Sequence, residues 1–220
     1  MESAASRLAA VEDTIARMLK PARREREDIT LIAVSKTHAA DTIQPMLDIG
    51  HRVFGENRVQ EAQGKWPELL ERYPDTELHG IGQLQSNKAE DAVALFDCIH
   101  ALDRQSLLKA LAKAMDKLDK QVPCFVQVNI GDEAQKGGCP IGEVPAFLAM
   151  VRAADVPVAG LMCLPPAGIE PAPFFALLAK LAQDNGVEGL SMGMSGDYAT
   201  AVQLGATHIR VGTALFGARG

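Results

Sequence analysis

Cysteine is sparse in this chain, and its spacing offers no framework. Cys98, Cys124, Cys139 and Cys163 form no C-x-x-C pair and have no histidine pair at zinc-ligand spacing beside them. A disulfide scaffold is therefore not expected, and neither is a metal site. Cys98, Cys124 and Cys163 lie inside apolar runs and read as small buried thiols in a reducing compartment. Positive charge is also short: 22 Lys and Arg against 28 Asp and Glu leave a formal net charge of -6. The one basic cluster, Arg23-Arg24-Glu25-Arg26-Glu27, alternates in sign and reads as a solvated helix face. Nucleic acid is not an expected partner. No apolar run approaches the roughly 20 residues of a membrane span. The first residues lack a basic-then-apolar leader pattern and carry Glu2, Glu12 and Asp13. The expectation is a cytoplasmic protein, neither secreted nor inserted in a membrane.

What is present is an ordinary globular balance, 47% hydrophobic and 23% charged, in 220 residues. That length suits one α/β barrel of about 200–250 residues, so a single domain over 1–220 is expected, with an N-terminal helix in residues 1–27. Between Ala4 and Arg26 the apolar residues Leu8, Val11, Ile15, Met18 and Leu19 follow helical spacing. Ile29 to Lys36 is then an almost continuous apolar run, the pattern of a parallel strand covered on both faces. Seven further strand-like segments follow: Arg52 to Asn57, Glu77 to Gly82, Cys98 to Asp103, Val122 to Ile130, Val156 to Pro165, Gly189 to Ser195 and Thr207 to Gly217. Helical patterns separate them, among them Asp41 to Ile49, Gln60 to Glu71, Arg104 to Lys120, Ile141 to Ala154, Pro173 to Gln183 and Asp197 to Leu204. Strict alternation of eight strands with helices predicts an α/β fold of the (β/α)8 TIM-barrel type with an additional N-terminal helix. No G-x-G-x-x-G follows the first strand, which argues against an open dinucleotide-binding sheet. The eighth strand runs nearly to the end of the chain, so no helix is expected after it, and the N-terminal helix is expected to cover the gap.

Barrels of this type work at the carboxyl ends of their strands. Strand one ends in Ser35-Lys36-Thr37-His38, placing an amine where the apolar run stops. Partial desolvation there favours the free amine, which can attack an aldehyde. Taken alone, such a lysine is more often a solvated boundary residue. The last two strands supply the context. Ser191-Met192-Gly193-Met194-Ser195-Gly196-Asp197 leads from strand seven into a helix, and Arg210-Val211-Gly212-Thr213 ends strand eight or forms the turn after it. These are the places where barrels bind phosphate through glycine-exposed N–H groups and hydroxyls. Glycines and serines that merely turn the chain would explain either segment alone. Together, with Lys36 opposite, they read as a phosphate clamp facing an amine.

These segments resemble the pyridoxal phosphate homeostasis protein family, related to the N-terminal barrel of alanine racemase. The resemblance spans nearly the whole chain and rests on six ordered motifs. They are Ala33-Val34-Ser35-Lys36-Thr37, Phe54 to Glu61, His79 to Lys88, Gly160-Leu161-Met162, Ser191 to Ser195 and Arg210 to Gly217. It implies that Lys36 forms a Schiff base with pyridoxal 5′-phosphate and that Ser195, Gly212 and Thr213 contact the phosphate. Arg210 is implied near the cofactor, at its phosphate or its pyridine nitrogen, and Asn57 and Ser191 near the ring, directly or through water. The chain departs from the family where Leu78 and Gly80 flank His79 in place of aromatic residues, and in Lys136-Gly137-Gly138, where a serine is usual before the glycine. Lys136 reads as a solvated loop lysine, with a second aldehyde- or phosphate-contacting lysine as the alternative.

The function the resemblance implies is cofactor homeostasis, buffering or delivering pyridoxal phosphate, with apo-enzymes as partners and a monomer or weak dimer as the state. Two other readings stand beside it. A racemase needs a second base, and the only tyrosines are Tyr73, at a helix end, and Tyr198, after the glycine-rich turn. An aldolase-like barrel would use Lys36 without the cofactor. A non-catalytic role is the expectation.

Overall fold

The structure, a computed structural model, describes residues 2–217. Among them, eight parallel strands close into a barrel in chain order. These are β1 Thr30–Val34, β2 Val53–Glu56, β3 Glu77–Gly80, β4 Cys98–Leu102, β5 Cys124–Val128, β6 Val158–Cys163, β7 Gly189–Met194 and β8 His208–Val211. β1 closes the ring against β8, with Thr30 beside His208 and Ala33 beside Val211. Every residue of β4 and β5 is buried, which is why these strands read as unbroken runs and not as alternations. The helices α1 Ala4–Ala22, α2 Ala40–Asp48, α3 Val59–Arg72, α4 Ala89–Leu95, α5 Gln105–Leu118, α6 Val144–Ala153, α7 Ala172–Asp184 and α8 Tyr198–Gln203 surround the barrel. None of the described helices is long and apolar enough to cross a membrane.

The expected (β/α)8 barrel is therefore present, with three differences of detail. Strand eight stops at Val211, and Thr213–Phe216 coil into a one-turn helix, α9. The expectation of no helix after the last strand is corrected: Ala214, Leu215 and Phe216 look like more strand in the sequence, but periodicity cannot separate a short apolar run from a helical turn. Second, α4 went unread, because its seven residues span less than two turns and carry little periodic signal. Third, the N-terminal helix breaks at Arg23, which is left-handed at φ 54°, and a 3-10 turn over Arg26–Asp28 follows. α1 buries Val11, Ile15 and Leu19. It does cover the seam by β8: Arg7 Nε donates to the carbonyl of Leu215, while the Arg24 that follows the helix donates to that of Ala206 at 2.8 Å.

The apolar core lies mostly between barrel and helices, around Phe54, Trp66 and Phe175. A second, small cluster of Cys98, Phe125 and Met162 fills part of the barrel interior. Branched apolar layers usually dominate that space. Here His79, His100, Gln127, Ser191 and Arg210 are buried as well. His100 on β4 bonds to Ser191 on β7, a contact between non-neighbouring strands that only the barrel interior can hold.

Candidate functional site

A cavity of about 440 Å³ opens at the carboxyl ends of the strands. Lys36, Asn57, Ser195, Arg210, Gly212 and Thr213 all line it, together with Gln83, Gln127 and Leu164. β1 ends at Val34, so Lys36 lies in the turn beyond the strand and not at its last residue. That turn is strained and held: Thr37 sits at φ 65°, and its N–H donates to Glu61 Oε1. The Lys65 ammonium, from α3, donates to the carbonyls of Ser35 at 2.9 Å and His38 at 3.0 Å, and to Glu61 Oε1 at 2.9 Å. It also meets Glu56 Oε1 at 2.8 Å, and that oxygen accepts from Ser35 Oγ and the Trp66 indole. Burial alone would raise the Glu61 carboxyl, but the Lys65 ammonium and the Thr37 N–H outweigh it and hold it below the ordinary carboxylate range. Lys36 is thus carried on a turn pinned by a buried charge network.

Across the cavity, Ser195 Oγ accepts from the N–H of Gly212 at 3.1 Å and of Ala214 at 3.4 Å. This ties the turn after β7 to the turn after β8. Asp197 closes the first of these turns by accepting the Met194 N–H at 2.6 Å. Gly193, at φ +93°, is needed there, since a Cβ would lie 2.6 Å from that of Ala201. The result is a wall of hydroxyls and small residues, with Thr213 exposed along it.

Arg210 is the charged floor of this cavity. Its guanidinium donates to Ser191 Oγ and, at 2.9 Å, to the carbonyl of Cys163. Among the described residues no carboxylate pairs with it. Burial lowers its pKa to about 10. Beneath it Ser191 Oγ meets His100 Nδ1 at 2.8 Å, and His100 Nε2 meets His79 Nδ1 at 2.9 Å. Burial keeps His100 well below its usual value, and burial first, then the neighbouring histidine and arginine, brings His208 to about 4. A polar chain therefore runs from the mouth to the amino end of the barrel.

The structure brings six of the seven sequence-derived residues to one cavity. Ser191 does not line it and lies fully buried under Arg210. Lys136 lines a neighbouring cleft, where it pairs with Glu133 at 2.5 Å and donates to the Pro165 carbonyl at 3.2 Å. Glu56, Lys65, His100 and the contacts of His79 were missed as partners of the site. Glu61 and Lys65 are spaced four apart on one helix, a legible pair, but nothing in the sequence says that both reach the turn after β1. Tyr73 bonds Asp48 at the surface, and Tyr198 packs partly buried against the core.

Comparison with known proteins identifies the fold and the family. Residues 7–220 match the family described as alanine racemase, N-terminal domain. The pyridoxal phosphate homeostasis protein of Pseudomonas aeruginosa is 36% identical, the alignment covering 100% of this chain and 97% of that protein. PipY of Synechococcus elongatus, solved with PLP bound, is 39% identical with a TM-score of 0.80, covering 92% of this chain and 100% of that one. Alanine racemase of Clostridium difficile shares the fold at 14% identity and a TM-score of 0.69, over 94% of this chain and 57% of that one. Matched along its length by a family and by relatives above 30% identity, the chain belongs to the pyridoxal phosphate homeostasis protein family, whose barrel is that of the alanine racemase N-terminal domain.

Proposed function

We propose that this protein binds pyridoxal 5′-phosphate at the carboxyl mouth of its barrel and serves the homeostasis of that cofactor, with Lys36 holding it as a Schiff base. One observation carries the reading: the Lys36 amine and the hydroxyl, N–H and guanidinium groups of Ser195, Thr213, Gly212 and Arg210 line a single cavity. Its size, about 440 Å³, falls in the range of small-molecule sites. When bound, the cofactor supplies an aldehyde for the amine and a phosphate for the opposite wall. Lys65 and Glu61 fix the backbone of the turn, which lowers the cost of ordering the amine. Ser195 and Thr213 offer hydroxyls to the phosphate, and Gly212 leaves room for close approach. Arg210 and Asn57 border the ring, with Ser191 acting through Arg210.

The same reading makes the protein a carrier and not a catalyst. Neither Tyr73 nor Tyr198 lines the cavity, so a second base on the opposite face of an amino acid's α-carbon is not supplied from them. Its partners are then apo-enzymes that use the cofactor, in the cytoplasm. The test is the visible absorption of purified protein before and after borohydride, followed by peptide mapping. The reading expects a band that borohydride bleaches and a reduced pyridoxyl group on the peptide containing Lys36. A band mapped to Lys136 or any other lysine sinks the assignment, and no band at all favours the aldolase-like use of Lys36.

A further inference from the structure

At the end of the barrel opposite the mouth, three donor groups converge, none of which lines the cavity at the mouth. One donor atom each of His79, Cys98 and His100 lie within 4.8 Å of one another, and all three residues are buried. They come from the two neighbouring strands β3 and β4, and Cys98 is the first residue of β4, so the group sits at the amino end. We propose that this cluster is a binding site for one borderline-soft divalent ion, zinc being the physiological candidate, held by two imidazoles and a thiolate.

The arrangement of the ring nitrogens supports it. His79 Nδ1 and His100 Nε2 face each other at 2.9 Å. Two donors on one zinc stand roughly 3.3–3.8 Å apart when the bonds are ~2.0–2.3 Å, so an ion replaces the shared proton with a small outward shift of the rings. One outer nitrogen already has the kind of partner that metal-bound histidines use, and the other has a carboxylate within reach. His100 Nδ1 meets the hydroxyl of Ser191 at 2.8 Å. His79 Nε2 is buried with no hydrogen bond of its own, and the Glu77 carboxylate stands 3.6 Å away. Imidazole and thiolate together select zinc-like ions over calcium or magnesium. The fourth position is left to water.

Entry is from the amino end, where the Glu77 side chain is 63% exposed while the donors are covered. On binding, the Cys98 thiol loses its proton to solvent as the sulfur–metal bond forms, and each imidazole keeps one proton. The Arg210 guanidinium opposes added positive charge, but Ser191 stands between it and His100. Thiolate formation and the Glu77 carboxylate offset the ion's charge. The three donors do not line the cavity at the mouth, so metal binding is read by its own signals, whether or not the proposal for the cofactor holds.

The experiment adds cobalt(II), then zinc, to the chelator-treated, cofactor-loaded protein under reducing conditions. The expected result is one equivalent bound, with a thiolate-to-cobalt charge-transfer band in the near ultraviolet. Cys98→Ser should abolish that band, His79→Gln should weaken binding at least tenfold, and Glu77→Gln about tenfold through loss of the outer partner. With zinc, which adds no visible bands, the cofactor absorption of the unsubstituted protein should not change. Should Cys98→Ser fail to fold, X-ray absorption of the zinc-loaded unsubstituted protein decides, with one sulfur neighbour at ~2.3 Å expected. Substoichiometric binding, a thiolate band that persists in Cys98→Ser, or a zinc shell without sulfur overturns the proposal.

Discussion

At the carboxyl end of β8 the Gly212 N–H is bonded to Ser195 and the backbone is open to a ligand. Four residues earlier on the chain, His208 packs edge-on against Phe125, with ring centroids 4.8 Å apart, beside His79 and His100. The mouth is made of turns, where hydroxyls, glycine and a pinned amine face a cavity. The amino end is made of strand residues whose rings fill the interior. The difference teaches that one set of strands can carry two chemistries: side chains within a strand are fixed by burial, whereas those in the turns are fixed by polar ties such as Lys65 to Ser35 and His38. Arg210, Ser191, His100 and His79 join the two ends through hydrogen bonds.

The sharpest way to separate the ends is to remove the amine. Lys36→Ala should abolish the borohydride-sensitive absorption completely while the thermal midpoint stays near that of the parent, because Lys36 is only half-buried in a turn. A retained band breaks the assignment of the mouth. Next in size, Thr213→Val should weaken retention of pyridoxal phosphate about tenfold or more while leaving pyridoxal retention nearly unchanged, since a hydrogen bond to a charged group contributes about 1.5–3 kcal/mol. Equal losses for both ligands, measured by equilibrium dialysis, would show that Thr213 does not read the phosphate.

Ser191→Ala tests the joint between the ends. It leaves the buried Arg210 with one fewer acceptor and His100 Nδ1 without its partner, so unfolding in urea should report a loss of about 1–3 kcal/mol. An unchanged midpoint would mean that the two ends are not linked through this hydroxyl.

The smallest effect concerns pH. His51, just before β2, is half-buried against Phe54 with its Nε2 2.8 Å from the Val53 carbonyl, and desolvation lowers its pKa. In the unfolded chain it takes up a proton near pH 6.5, while the folded state resists. Stability from this group is thus full above that value, falls as pH drops below it, and levels off beneath the folded pKa. Glu61 at the mouth works the other way in range: its lowered pKa contributes stability above the ordinary carboxylate value that is lost only at more acid pH. His51→Gln should flatten the dependence just below about pH 6.5 and leave the limb in the carboxylate range unchanged, as read from urea unfolding at several pH values. No difference between parent and variant across that window would remove His51 from the account.

Much of this was open to a reader of the chain alone. The eight strands announce themselves because a parallel barrel buries both faces, which forces runs such as Ile29 to Val34 and Val122 to Val128. Lys36, Ser195, Gly212 and Thr213 are legible because the mouth lies where each run ends, so position along the chain and position in space coincide. Ser191 lies deeper than the others for the same reason in reverse: three residues before the strand's end, a residue drops from the mouth into the interior.

The sequence by itself determined the barrel, the order of its strands and the local chemistry at each strand end, all of which follow from burial and short-range spacing. Only the tertiary structure decided which distant residues meet. That Lys65 reaches across from α3 to the carbonyls around Lys36, and that His79 and Cys98 converge with His100, depends on how far each strand is staggered against the next. Stagger is set by the closing of the ring as a whole, with β1 against β8. No local pattern of residues encodes that closure, and so no local pattern could reveal the contacts it creates.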